Sequence, residues 1–148
     1  MKAFFLAAAV LAITLSLTVA SAAAAADVNI VTQQAVPIGG NTGTFTMSGD
    51  RSDAGTFRFT SFLFTSGQGS AVTTEHVMET WTGSAGTLTV QKECRTVFAG
   101  FFATDECQAL VTDGAGAYAG LHGPGACTDV LNFVTGIASQ MCEFHLYD

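Results

Sequence analysis

Few side chains in this chain have the types and spacing that chemistry requires. The sequence holds three histidines, His76, His122 and His145, with twelve acidic residues and four cysteines. Glu75, His76 and Glu79 fall within one expected strand, and Glu143 and His145 alternate on one face of another. If the fold converged them, imidazole and carboxylate together would suit a metal or acid/base site. Their spacing argues against it: neither H-x-x-x-H nor H-E-x-x-H occurs, so these groups read as solvated strand-face residues, and no metal or cofactor is expected. There is no G-x-S-x-G elbow and no lone cysteine to act as a nucleophile, so catalysis is not expected. The acidic turn Asp50-Arg51-Ser52-Asp53 lacks the ligand count of a calcium loop. Three residues remain that could meet a small ligand. Tyr118 and His122 sit in a glycine-rich stretch, and Trp81 ends a strand. Packing competes with binding for Tyr118, and a loop-bracing hydrogen bond competes with it for His122.

The element that must position Tyr118 and His122 is the run Asp113 to Gly125, with glycines at 114, 116, 120, 123 and 125. Glycine serves where backbone takes positive φ or approaches another segment closely, so the run predicts a tightly folded connection between two strands. It is not a dinucleotide loop, because Ala119 stands where the third glycine belongs and Pro124 would interrupt the helix that such a loop must open. Tyr118 is expected to turn inward and plug one end of the fold, with the small Ala117 and Ala119 beside it.

The cysteines read as two structural disulfides, since four in a small exported domain without a C-x-x-C pair do not suggest zinc. Residues facing each other across an antiparallel hairpin share a constant index sum. Cys94 and Cys107 centre on Gly100-Phe101, where a leading glycine suits a two-residue turn, and Cys127 and Cys142 centre beside Gly136. The rival pair, Cys107 with Cys127, would centre on the glycine run. The hairpin pairing is preferred, each bridge being worth about 3 kcal/mol in the chain-entropy picture.

Alternation supplies the strands. In Gly55 to Phe64, Phe57, Phe59 and Leu63 are expected on one face, with Phe62 and Phe64 joining the other late. Further strands are expected at Val28–Val36, Thr44–Met47, Ala71–Thr80, Thr87–Phe98, Thr104–Thr112, Ala126–Val134 and Ile137–Tyr147, separated by glycine-rich turns. About eight short strands without helical periodicity indicate an all-β domain, either a sandwich or, preferably, a single closed antiparallel up-and-down barrel. Closure removes the unpaired edges on which strands aggregate.

Met1-Lys2, an apolar run from Ala3 to Val19 and the alanines from Ala22 to Ala26 have the form of a secretory signal peptide, residues 1–26, leaving one domain over 27–148. No cysteine precedes Cys94 and there is no twin arginine, so the general export route is expected, to an extracellular or periplasmic location. Without that leader, four basic residues (Arg51, Arg58, Lys92 and Arg95) face twelve acids. Such a chain is a poor partner for nucleic acid or, after cleavage, for anionic membrane.

The pattern Gly114-x-Gly116-x-Tyr118-x-Gly120-x-x-Gly123-x-Gly125 between strands resembles the late glycine turn of the allene oxide cyclase and dirigent-like (calycin-like) barrels. Asp53-Ala54-Gly55-Thr56-Phe57 and Gly86-Thr87-Leu88-Thr89-Val90 are compatible with it. The resemblance implies an eight-stranded antiparallel barrel around a small apolar cavity. The paired cysteines are no hallmark of those barrels, and their catalytic acids and arginines have no matched positions here. Two functions follow as expectations. The preferred one is binding of a small hydrophobic ligand in the lumen without catalysis, a cyclase- or dirigent-like reaction being its enzymatic variant. The other is a structural or interaction module acting through its outer surface, with a filled lumen and a partner that the sequence does not name.

Overall fold

A computed structural model describes residues 27–148; the segment read as a signal peptide lies outside the described residues. Eight strands follow one another, β1 (Val28–Pro37), β2 (Thr42–Gly49), β3 (Asp53–Ser66), β4 (Val72–Gly83), β5 (Gly86–Ala99), β6 (Phe102–Gly116), β7 (Gly123–Asn132) and β8 (Ile137–Leu146). Each pairs antiparallel with the next, and β1 pairs with β8 over ten residues, so the sheet closes into an up-and-down barrel rather than a sandwich. Inward residues alternate with outward ones along every strand. In β1, Ile30, Thr32, Gln34 and Val36 are buried, while Asn29, Gln33 and Ala35 are exposed. The outer face is rich in threonine, glutamine and charge, for example Thr104, Glu106 and Gln108 on β6. That is the reverse of the lipid-facing apolar band of a membrane barrel.

Both disulfides follow the index sums, Cys94–Cys107 across the β5–β6 hairpin and Cys127–Cys142 across β7–β8. Gly100, with φ +62°, takes the first place of the β5–β6 turn, as anticipated. The four cysteines form one inward row, because Cys107 also faces Cys127 across β6 and β7. The rival bridge thus joins true neighbours as well; the row contains both solutions.

Two expectations need correction. Leu63 does not share the face of Phe57 and Phe59. The β3–β4 pairing slips by one residue between Phe59 and Ser61, and such a bulge exchanges the two faces of a strand. Beyond it, Phe62 and Phe64 continue the inward row, linked edge-on from Phe59 to Phe62 to Phe64, while Leu63 is 61% exposed. The glycine connection is also shorter than its glycines suggest. Strand β6 runs to Gly116 and β7 begins at Gly123, leaving only residues 117–122 between them. Gly114 and Gly125 are needed for close approach: a Cβ would collide with the Tyr118 carbonyl oxygen at the first and with the Phe144 ring at the second.

The two ends of the barrel differ. At the end carrying the 117–122 connection the lumen is solid, with Trp81 packed between Phe45 and Phe144 at ring separations of 5.6 Å and with Phe57, Leu88 and Leu146 buried around them. Tyr118, only 3% exposed, corks this end. Its hydroxyl donates to Asp53 Oδ2 at 2.8 Å, and Asp53 also accepts from the Ser84 hydroxyl and from the amides of Ala54, Ser84 and Ala85. Burial would raise the Asp53 pKa, but hydrogen bonds from Ser84, Tyr118, Ala85 and Ala54 outweigh it and hold the carboxyl well below the usual range.

Candidate functional site: a cavity over a carboxylate floor

The opposite half of the lumen is not filled. There a cavity of about 390 Å³ opens between the β1–β2 connection and the late ends of β3, β5 and β7. At ~30 Å³ of liquid volume per water, that is the space of about a dozen waters, enough for an organic molecule of about two or three rings, whose bonded atoms lie closer together. Its walls are apolar, with Phe59, Phe62, Phe64, Val77, Phe98 and Leu131 among them. The four connections at this end, residues 37–42, 62–72, 98–102 and 131–138, contain no charged residue. Phe101 and Val134, 70% and 71% exposed, stand on this rim.

Strand alternation puts a polar belt beneath the apolar walls. Thr96, Asp105, Asp129, Gln140 and Gln34 face one another in register across β5, β6, β7, β8 and β1. Lys92 and Glu79 lie just below, 1% and 2% exposed, joined by a 2.7 Å ion pair. That pair is well partnered. Lys92 Nζ also donates to Gln34 Oε1 and Gln140 Oε1, and Glu79 Oε2 accepts from Trp81 Nε1 at 2.7 Å and Gln34 Nε2 at 3.3 Å. A buried ion pair is tolerated when its remaining donors and acceptors are satisfied in this way.

The other three acids of the floor are not so well supplied. Glu75 accepts from Thr96 Oγ1 at 2.8 Å. Thr96 has a single hydroxyl hydrogen, yet it faces Asp105 directly across β5 and β6 as well. Asp105 Oδ1 and Asp129 Oδ1 are buried without any hydrogen-bond partner. Burial pushes the Asp105 carboxyl up to about 6, Thr96 opposing and Glu75 reinforcing the rise. Burial pushes Asp129 to about 7 against the pull of Lys92 and a hydrogen bond from Gln140, and it raises Glu75 as well. The floor can therefore do two things: present acceptors to a donor or cation, or exchange a proton near neutrality.

The residues singled out from sequence lie elsewhere. Tyr118 and Trp81 belong to the filled half, and none of Tyr118, Trp81 and His122 is among the residues lining the cavity. Trp81 reaches it indirectly, through its bond to Glu79. His122 braces its loop, Nδ1 lying 2.9 Å from the Gly120 carbonyl oxygen and its ring edge-on to Tyr147 at 4.4 Å. His76 and His145 point outward, beside Glu93 and Asn29. The fold thus parts His76 from Glu75 and Glu79, which alternate with it and turn inward. Among the described residues no group of three or more His, Cys, Asp or Glu is placed to hold a metal. Sequence reasoning missed Lys92, Asp105 and Asp129. Their signal was parity: each sits two places from a cysteine, on the buried face of its strand.

No family model matches this chain, and no curated protein or solved structure shows significant similarity to it.

Proposed function

We propose that this barrel binds a small, largely apolar molecule in the open half of its lumen. The observation that carries the reading is the division of the interior. One half is packed solid and corked by Tyr118, whereas the other is an apolar-walled cavity whose polar groups, Asn41 at the mouth aside, gather at its base. Apolar walls with a few converging polar groups are the usual make-up of a small-molecule site. The uncharged, phenylalanine-rich rim suits a ligand that leaves an apolar phase to enter. Two disulfides suit an oxidising compartment, in keeping with export.

The rival view, an interaction module acting through its exterior, is supported by the exposed rim but calls for a filled lumen. A cyclase- or dirigent-like reaction is the enzymatic variant of the proposal. It draws support from Asp105 and Asp129, two carboxyls beneath the cavity that titrate close to neutrality.

Native mass spectrometry of protein purified from its own host is the direct test. A reproducible small-molecule mass lost on denaturation is expected, together with enhanced fluorescence of the neutral probe N-phenyl-1-naphthylamine on addition of protein. Ala138→Trp, which fills the cavity from β8, should abolish the enhancement while the protein stays folded. A clean apo mass with an unchanged probe signal in Ala138→Trp would refute lumen binding. Chemical conversion of the recovered molecule by fresh protein would favour the enzymatic variant.

A further inference from the structure

We infer that the ligand carries a basic nitrogen, an ammonium group that sits on Asp105 and Asp129 while its apolar body extends towards Phe62 and Phe98. This rests on the lumen being the binding site and specifies what enters it. The first argument is charge supply. Four carboxylates (Glu75, Glu79, Asp105 and Asp129) reach the cavity, against one cation, Lys92, which Glu79 already engages at 2.7 Å. The other basic residues of the domain, Arg51, Arg58 and Arg95, are exposed on the outside and send nothing inward.

The second argument is register. Asp105 and Asp129 are directly opposed on β6 and β7 and both face the lumen. Directly opposed residues hold their Cβ atoms about 4.5–5.5 Å apart, and like charges at that spacing repel. Burial makes the pairing more costly, since Asp105 is buried and Asp129 half-buried at the base of the cavity, where little water screens them.

Hydrogen-bond accounting supplies the third and independent argument. Asp105 is 7% exposed, and its Oδ1, like that of Asp129, has no donor. Thr96 gives its single hydrogen to Glu75, and the hydrogen bond from Gln140 to Asp129 leaves the Oδ1 atom of that carboxyl unpartnered. An ammonium brings up to three N–H donors and a positive charge, which answers both deficits at once. A metal ion is the competing cation, but no set of ligands is placed for one among the described residues. An anionic ligand would meet the same carboxylates as repulsion.

The groups facing the two aspartates set the pH response. They are Glu75 and Glu79 from β4, Lys92 and Thr96 from β5, Gln140 from β8 and Gln34 from β1. At pH 8 the aspartates are ionised and ready for a cation; at pH 5 they hold protons and the attraction falls away.

The test uses three probes with one carbon skeleton: 4-phenylbutylamine, 4-phenylbutan-1-ol and 4-phenylbutanoic acid. Each is titrated calorimetrically into the folded protein at pH 8 and pH 5. The amine should bind at least tenfold more tightly than the alcohol at pH 8, the gap should shrink several-fold at pH 5, and the acid should be rejected at pH 8. Asp105→Asn with Asp129→Asn should erase the preference for amine and keep alcohol binding; Asp129→Asn alone serves if the double variant does not fold. Equal or weaker binding of the amine at pH 8, or an amine affinity indifferent to pH, overturns the inference. In that event persistence of the N-phenyl-1-naphthylamine signal leaves lumen binding standing, while its loss removes both.

Discussion

Replacing Asp129 by asparagine should stabilise the protein at neutral pH, an unusual outcome for a half-buried, lumen-facing position. Burial lifts its carboxyl from 3.8 to about 7, so the folded state holds the proton more tightly than the unfolded chain does. A raised pKa contributes stability that is fully present below the unfolded value and is lost as pH climbs through the folded one. For Asp129 the loss runs from about pH 4 to pH 7. Each tenfold change in proton affinity corresponds to about 1.36 kcal/mol, so the rise to about 7 sets an upper bound of about 4 kcal/mol above that pH. Local relaxation and water entry reduce the bound, and a gain of about 2 kcal/mol is expected. For a domain of this size, with about 4 °C per kcal/mol, Asp129→Asn should melt about 8 °C above the parent at pH 7.5. The difference should close by pH 4, where the parent carboxyl is itself neutral. Thermal denaturation followed by circular dichroism at both pH values measures this, with the outward-facing Glu106→Gln as a control expected to stay within ~0.5 kcal/mol. An Asp129→Asn variant that melts at or below the parent temperature at pH 7.5 would refute the reasoning, because the carboxylate would then be adequately paired.

Tyr118→Ala should cost about 3–5 kcal/mol by emptying the corked end, whereas Tyr118→Phe, which loses one of the donors to Asp53, should cost only about 1 kcal/mol. Equal melting of all three proteins would deny the cork its structural role. Peptide mapping without reduction should recover Cys94–Cys107 and Cys127–Cys142, and Cys127→Ala with Cys142→Ala should lower stability by about 3 kcal/mol. A dominant Cys107–Cys127 peptide would reverse the assignment.

The barrel and its bridges were legible because they depend on alternation and on hairpin arithmetic, both local properties of the chain. The sum that matches Cys94 with Cys107 places Gly100-Phe101 in the turn, and the structure agrees. The same arithmetic, applied to the rejected pair Cys107 and Cys127, also sets Asp105 opposite Asp129. That opposition went unread, because a single aspartate at an inward position looks like any other until its cross-strand neighbour is known to be an acid too. Leu63 was misplaced for a different reason. The bulge after Phe59 leaves no mark in a stretch where both parities are apolar, so only the pairing with β4 reveals the exchange of faces. Tyr118 was read correctly as an inward residue because the small Ala117, Ala119 and Gly120 around it leave room for its ring to pack.

The arrangement of the cystines has a mechanical consequence. They rivet β5 to β6 and β7 to β8, but between those riveted pairs β6 and β7 are held by hydrogen bonds and packing without a covalent link. Asp105 and Asp129 confront each other across that same unriveted seam, each one pleat from a cystine. Ionisation thus loads the wall along a line that no cystine spans, and a positively charged guest lodged there would draw the seam shut from within.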